Sequence, residues 1–289
     1  MSLISLLIAL ASQRYLSSSV WQFNTFYRYY LNGIKRFDVL PSPWQSSATA
    51  IAYIGAPALL VYLLLDLIND SLLHLVISSL VLIICFGCVK TRETYKNYLL
   101  SAFRGEATTC ELHHEQLQQD KNLPEMGFGQ ILVWLNYRYF IAIMLFFVVF
   151  GAAGALFYRL LSTVAEGKSV ENAEITSDVI TLTQRVLFWL DWIPVRLVAF
   201  GYMLVGHFSK ALPVWLENIF EINKPSNKVL IEVAEKSEDF MVDEDFNPWL
   251  IEINASPSLS TTTKRDKILK TDVIKSIFDI VIPEDWGDE

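Results

Sequence analysis

Three apolar runs of membrane-crossing length constrain this chain more than any other feature. In a hydrocarbon core of about 30 Å, every backbone N–H and C=O must be satisfied within the segment, and a single stretch achieves this only as a helix of about 20 residues. Ala48 to Ile68 carries one acid, Asp66, near its end; Leu72 to Val89 carries only His74, near its start. Phe140 to Leu161 carries only Arg159, placed to snorkel towards an interface. The sequence therefore predicts a mainly α, polytopic helical membrane protein with spans at about 48–68, 72–89 and 140–161, and its 53% hydrophobic content agrees. The short apolar start, Leu3 to Ala11, lacks a basic flank and an evident cleavage site, so it is expected to pack on the bundle or lie in the interface.

Val186 to His207 is a candidate fourth span, but it contains Asp191, Pro194 and Arg196. Each charge at mid-membrane costs about 3 kcal/mol on insertion scales. A proline between them is expected to kink or break the helix. Two readings stay open: a broken span with a functional polar pair, or an interfacial segment with Trp189 and Trp192 at headgroup depth, and the second is preferred. Asp191, Arg196, His207 and Lys210 form the candidate polar site of this unit. A helix-stabilising ion pair with interfacial anchors is the preferred role for them over a ligand site.

Basic residues in short loops set the orientation. Arg14, Arg28, Lys35 and Arg36 before the first span, and Lys90, Arg92, Lys96, Arg104, Lys121 and Arg138 between the second and third, place both segments on the cytoplasmic side. Asn69 to Ser71 has no basic residue, and Ser162 to Gln184 has only Lys168, which places both on the outer side.

Other clusters are weaker. Cys85-x-x-Cys88 lies within an apolar run and reads as two small buried hydrophobes rather than a redox pair. Cys110 and His114, at i and i+4 beside His113 and Glu115, could begin a Zn²⁺ site, but no second cluster completes it and a solvated helix face is preferred. The aromatic and basic stretch from Phe23 to Arg36 suits the cytoplasmic surface of a bilayer. Nucleic acid is not an expected partner of so acidic a chain, with formal charge −8.

The last residues differ in character. Asp239 to Glu289 holds 5 Lys/Arg against 12 Asp/Glu, net −7, which leaves 18 against 19, net −1, for Met1 to Glu238. This break separates a membrane unit, 1–238, from a small α/β unit, 239–289. Phe240 to Val242 and Trp249 to Ile253 read as strands around a turn, and Asp272 to Ile282 has helical spacing. Glu252 and Asn254, at i and i+2 on a strand, point the same way, and Asp239 on the neighbouring strand can add a third oxygen. Hard oxygen ligands of this kind suit Mg²⁺ held together with nucleotide phosphates.

Two resemblances follow from particular strings. LDWIPVRLVAFGYMLVGHFSKALPVW at Leu190 to Trp215, with VWLNYRYF at Val133 to Phe140 and GCVKTRETYKNYLLSAFRGE at Gly87 to Glu106, resembles the AmpE family of bacterial inner-membrane proteins and, more distantly, the CobD/CbiB membrane enzymes. That resemblance implies a multi-pass inner-membrane protein, with the lipid bilayer and envelope regulatory proteins as partners. Its implied function is regulatory, a modulator or sensor in β-lactamase induction and peptidoglycan recycling, rather than enzymatic.

WLIEINASPSLS at Trp249 to Ser260 resembles the C-terminal end of the ATP-grasp core of tubulin tyrosine ligase-like enzymes. This second resemblance implies Mg-ATP as a cofactor and matches Asp239, Glu252 and Asn254 to its Mg²⁺-binding positions. The alternative function is thus an ATP-dependent carboxylate–amine ligase, through this tail with tubulin as partner or through a CobD-like membrane unit. The two halves together read as a fusion.

Overall fold

The computed structural model of the chain describes residues 2–12, 22–35, 47–68, 70–87, 89–167 and 177–237. The expected strands, the helix at Asp272 to Ile282, Asp239, Glu252, Asn254 and Cys88 lie outside them. Within the described residues the structure is helical: α1 (Ser2–Ser12), α2 (Phe23–Lys35), α3 (Ser47–Leu67), α4 (Ser71–Phe86), α5 (Val89–Phe103), α6 (Ala107–Asp120), α7 (Phe128–Asn136), α8 (Ala142–Ala165), α9 (Ser177–Val205), α10 (Phe208–Ile219) and α11 (Ser226–Ser237). A π-helical turn, Tyr137–Ile141, joins α7 to α8.

Thr49–Leu67, Phe128–Ala165 and Ser177–Val205 are long and apolar enough to cross a membrane. The first matches the expected span. On α3, Leu59, Leu60, Leu63 and Leu67 are exposed, giving an apolar face suited to lipid. Pro57 removes the helix bond that Tyr53 O would accept four residues back, and the Tyr30 hydroxyl of α2 supplies a replacement at 2.6 Å. α2 in turn buries Phe23, Tyr27 and Leu31, spaced four residues apart on one face. α1 packs on α4, as anticipated, with Ala9 buried and the Ser5 hydroxyl 3.5 Å from Leu75 O.

The other expected spans are corrected. α4 has 16 residues, about 24 Å at 1.5 Å per residue, because Asp70 caps its start and its end comes at Gly87. That is shorter than a hydrocarbon core. Phe140 to Leu161 is not one straight helix, because Gly151 (φ 68°, ψ −163°) reverses the chain. Phe146 and Tyr158 stack with ring centroids 4.7 Å apart, although twelve helical residues would separate them by about 18 Å. The result is a helical hairpin. Its returning limb, from Ala152 to Ala165, is almost wholly buried, with α3, α4 and α9 packed on α8.

The hairpin also changes the expected sidedness. Lys121, before the hairpin, forms an ion pair of 3.7 Å with Glu166, after it. The basic segment ahead of α7 and the start of the 162–184 segment therefore share one end of the hairpin, where the loop charges placed them on opposite sides. The expected break in Val186 to His207 is corrected too: Val186 to Val205 is the greater part of α9, which continues through Pro194 and is long and apolar enough to cross a membrane. In an apolar medium an unwound turn would leave several backbone groups unsatisfied, whereas a proline removes a single hydrogen bond.

Candidate functional site

Asp191 is the middle residue of α9 and is 1% exposed, so its charge must be compensated inside the protein. Three donors converge on it. Tyr137 and Tyr158 donate their hydroxyls to Oδ1 at 2.7 and 2.8 Å, and Arg138 donates Nη2 to Oδ2 at 3.1 Å. They come from two parts of the hairpin: Tyr137 and Arg138 from the π-helical turn, Tyr158 from the returning limb. Two tyrosines of this turn serve different partners, since Tyr139 donates to Glu166 while Tyr137 donates to Asp191. Trp134 stacks against the Arg138 guanidinium at 4.8 Å from its ring centre, which fixes the plane of the fork.

A second buried group adjoins the first. Lys121 donates to the Tyr139 hydroxyl, and Tyr139 passes its own proton towards Glu166. Gln184 of α9 donates to Ala165 O at 3.3 Å. Between the two groups lies a cavity of about 330 Å³, lined by Lys121, Trp134, Arg138, Glu166, Asp191 and Ser226 among others. This volume is at the lower end of the range for small-molecule sites. The four charges on its wall, two cations and two anions, sum to zero.

The anticipated polar site is only partly assembled. Asp191 stands at its centre, but Arg196 is not its partner. Arg196 donates to Trp192 O, Ile219 O and Glu221 O, placing its cation at the C-terminal end of α10. His207 and Lys210 are exposed at the α9–α10 turn and do not line the cavity; the His207 N–H donates to Ser237 O. Arg159, expected to snorkel, is 3% exposed, with its guanidinium 4.7 Å from the Phe23 ring centre and 4.4 Å from that of Tyr139.

Sequence reasoning missed Tyr137, Tyr158 and Glu166, and counted Lys121 and Arg138 only as topology signals. The clue was present in Arg138 and Arg159, two cations within one apolar region that contains no acid of its own.

The other cluster is accounted for locally. His114 Nε2 bonds Met126 O at 2.9 Å, and the Cys110 thiol contacts Tyr98 O at 3.8 Å. Burial, then the Glu106 carboxylate, pushes that thiol above its ordinary range, away from the thiolate that Zn²⁺ requires. Among the described residues no group of three or more His, Cys, Asp or Glu is placed to hold a metal ion.

The described residues define a helical bundle with three helices long and apolar enough to cross a membrane and a compensated charge cluster at the centre of one of them. Comparison with known families makes the assignment specific: residues 1–246 match the family of the regulatory signalling modulator protein AmpE, and the chain belongs to it. Residues 237–288 match the tubulin-tyrosine ligase family, consistent with a fusion.

Among individual relatives, Protein AmpE of Shigella flexneri is 26% identical over 197 residues, 63% of this chain and 62% of that protein. A probable alpha-tubulin polyglutamylase, Ttll1 of Tetrahymena thermophila, is 61% identical over 51 residues, 18% of this chain and 12% of that protein. A probable tubulin polyglutamylase, TTLL9 of Mus musculus, is 34% identical over 88 residues, 28% of this chain and 19% of that protein. The chain thus spans less than two thirds of each of these relatives. No solved structure matches it.

Proposed function

We propose that this chain is a regulatory, multi-pass inner-membrane protein of the AmpE type, a modulator or sensor in β-lactamase induction and peptidoglycan recycling. The carrying observation is the family match over residues 1–246, within which the Asp191 cluster and its cavity lie. The chemistry of the cluster favours sensing over catalysis. Asp191 already accepts three hydrogen bonds, so it is poorly placed to abstract a proton from a substrate. Such a network instead links α9 to both limbs of the hairpin, and a ligand that altered it would shift their packing. In a host with an inducible β-lactamase, removing the protein is expected to reduce inducibility. The wild-type chain should restore it and Asp191→Asn should not, at equal amounts in the membrane. Unchanged induction on removal would overturn the reading.

The 61% identity over 51 residues favours a second reading for the tail alone, an element of an ATP-dependent carboxylate–amine ligase. Under it the boundary falls at Glu238, Asp239, Glu252 and Asn254 hold Mg²⁺ with ATP, and tubulin is the partner. Mg-ATP binding by the full chain in detergent, lost both in Glu252→Gln and in a chain ending at Glu238, is the expected result of that reading. Binding that persists after truncation would remove it.

A further inference from the structure

The cavity beside Asp191 has an asymmetry of hydrogen-bonding groups. The oxygens of Asp191 are occupied by Tyr137, Tyr158 and Arg138, and Glu166 accepts from Tyr139 and pairs with Lys121. The donor side is not equally used. Arg138 Nε is buried without a hydrogen-bond partner, although its neighbour Nη2 is engaged. Ser226 is 6% exposed, and its hydroxyl is likewise buried with no partner. Both residues line the cavity. A buried guanidinium N–H and a buried hydroxyl left unsatisfied have each lost their water with no hydrogen bond in exchange. Such a cost is commonly recovered when a ligand supplies the missing acceptor.

A third element has the same polarity. Ser226 is the first residue of the twelve-residue helix α11, and Pro225, Ser226 and Asn227 all face the cavity. Val229 N–H already bonds Pro225 O, which leaves the N–H groups of the first turn as helix-terminal donors next to the open hydroxyl.

We propose that this cavity binds a small molecule through one carboxylate, held between Arg138 Nε, the Ser226 hydroxyl and the N-terminus of α11. The fixed charges of the wall cancel, so a carboxylate is held by the open donors and the helix terminus rather than by a spare cation, and a phosphate dianion would meet twice the repulsion from Glu166 and Asp191. The remaining wall, with Asn122, Gln184 and Asn227 among apolar side chains, suits amide or hydroxyl groups beyond the carboxylate. A blocked short peptide or a sugar acid has this chemistry. The inference rests on the cluster's being the functional site. Its test uses purified protein, so a failure here would leave the induction phenotype of Asp191→Asn standing.

The probe is N-acetyl-dialanine, which has one free carboxylate, titrated into the full chain in detergent by calorimetry and thermal shift. Its C-terminal amide and inorganic phosphate are the comparisons. Saturable binding of the acid is expected, with none of the amide. Ser226→Ala is expected to weaken it roughly 3- to 10-fold, the worth of one hydrogen bond. Asn227→Asp, which adds a like charge at the cavity wall, is expected to abolish it with an unchanged melting temperature. Arg138→Lys keeps the charge but lacks Nε and is expected to lose binding; should it fail to fold, the Ser226 and Asn227 variants carry the test. No binding of the acid up to about 10 mM, a weak millimolar affinity, would overturn the proposal. So would equal binding of acid and amide, or tighter binding of phosphate.

Discussion

Asp191→Asn is expected to destabilise the protein by about 3–5 kcal/mol, the range seen when one partner of a buried ion pair is removed. The amide keeps the shape and can still accept from Tyr137 and Tyr158, but its NH₂ would face the Arg138 donor and leave a buried cation uncompensated. Asp191→Leu combined with Arg138→Met removes both charges and should recover much of that loss. Thermal unfolding in detergent, followed by circular dichroism, measures all three proteins. If the Asp191→Asn variant melted like the wild type, Asp191 would not be the electrostatic centre of the bundle.

Labelling should show the hairpin as a change of side. In a chain whose three cysteines are replaced by serine, Asn97→Cys and Ser177→Cys are expected to react with an impermeant maleimide from the same face of the membrane. A straight span over Phe140 to Leu161 would put them on opposite faces. Gly151→Ala should cost about 1–3 kcal/mol, because its φ of 68° with ψ of −163° is a region that only glycine occupies readily. A methyl at Gly154 would sit 2.9 Å from Phe146 O, a backbone atom that cannot move aside, so Gly154→Ala should be destabilising as well. Opposite labelling with both alanine variants silent would rule out the fold-back.

What could be read from the sequence was what depends on composition along the chain. The α3 span, the helical start, the break in charge near Glu238 and both family resemblances were legible in this way. The hairpin was not, because FIAIMLFFVVFGAAGALFYRLL is continuously apolar and glycines are frequent in membrane helices, so Gly151 and Gly154 gave no distinct signal.

Asp191 was found by its cost, since a carboxylate in an apolar run requires compensation, but its partner was sought in the wrong place. Five residues at about 100° each place Arg196 about 140° around the helix from Asp191. The true partner, 53 residues earlier in sequence, depended on tertiary packing. Ser226 opens α11 and Lys121 follows α6, and nothing local marks either as a cavity wall.

The dependence of Asp191 on both limbs of the hairpin has a consequence for biogenesis. During synthesis Arg138 emerges from the ribosome before Asp191 exists, so the hairpin alone would carry that cation into lipid without its ion-pair partner. The insertion machinery must therefore retain it in a sheltered, hydrated environment until α9 follows, and release the two as one unit. A nascent chain stalled just short of α9 would remain bound to that machinery.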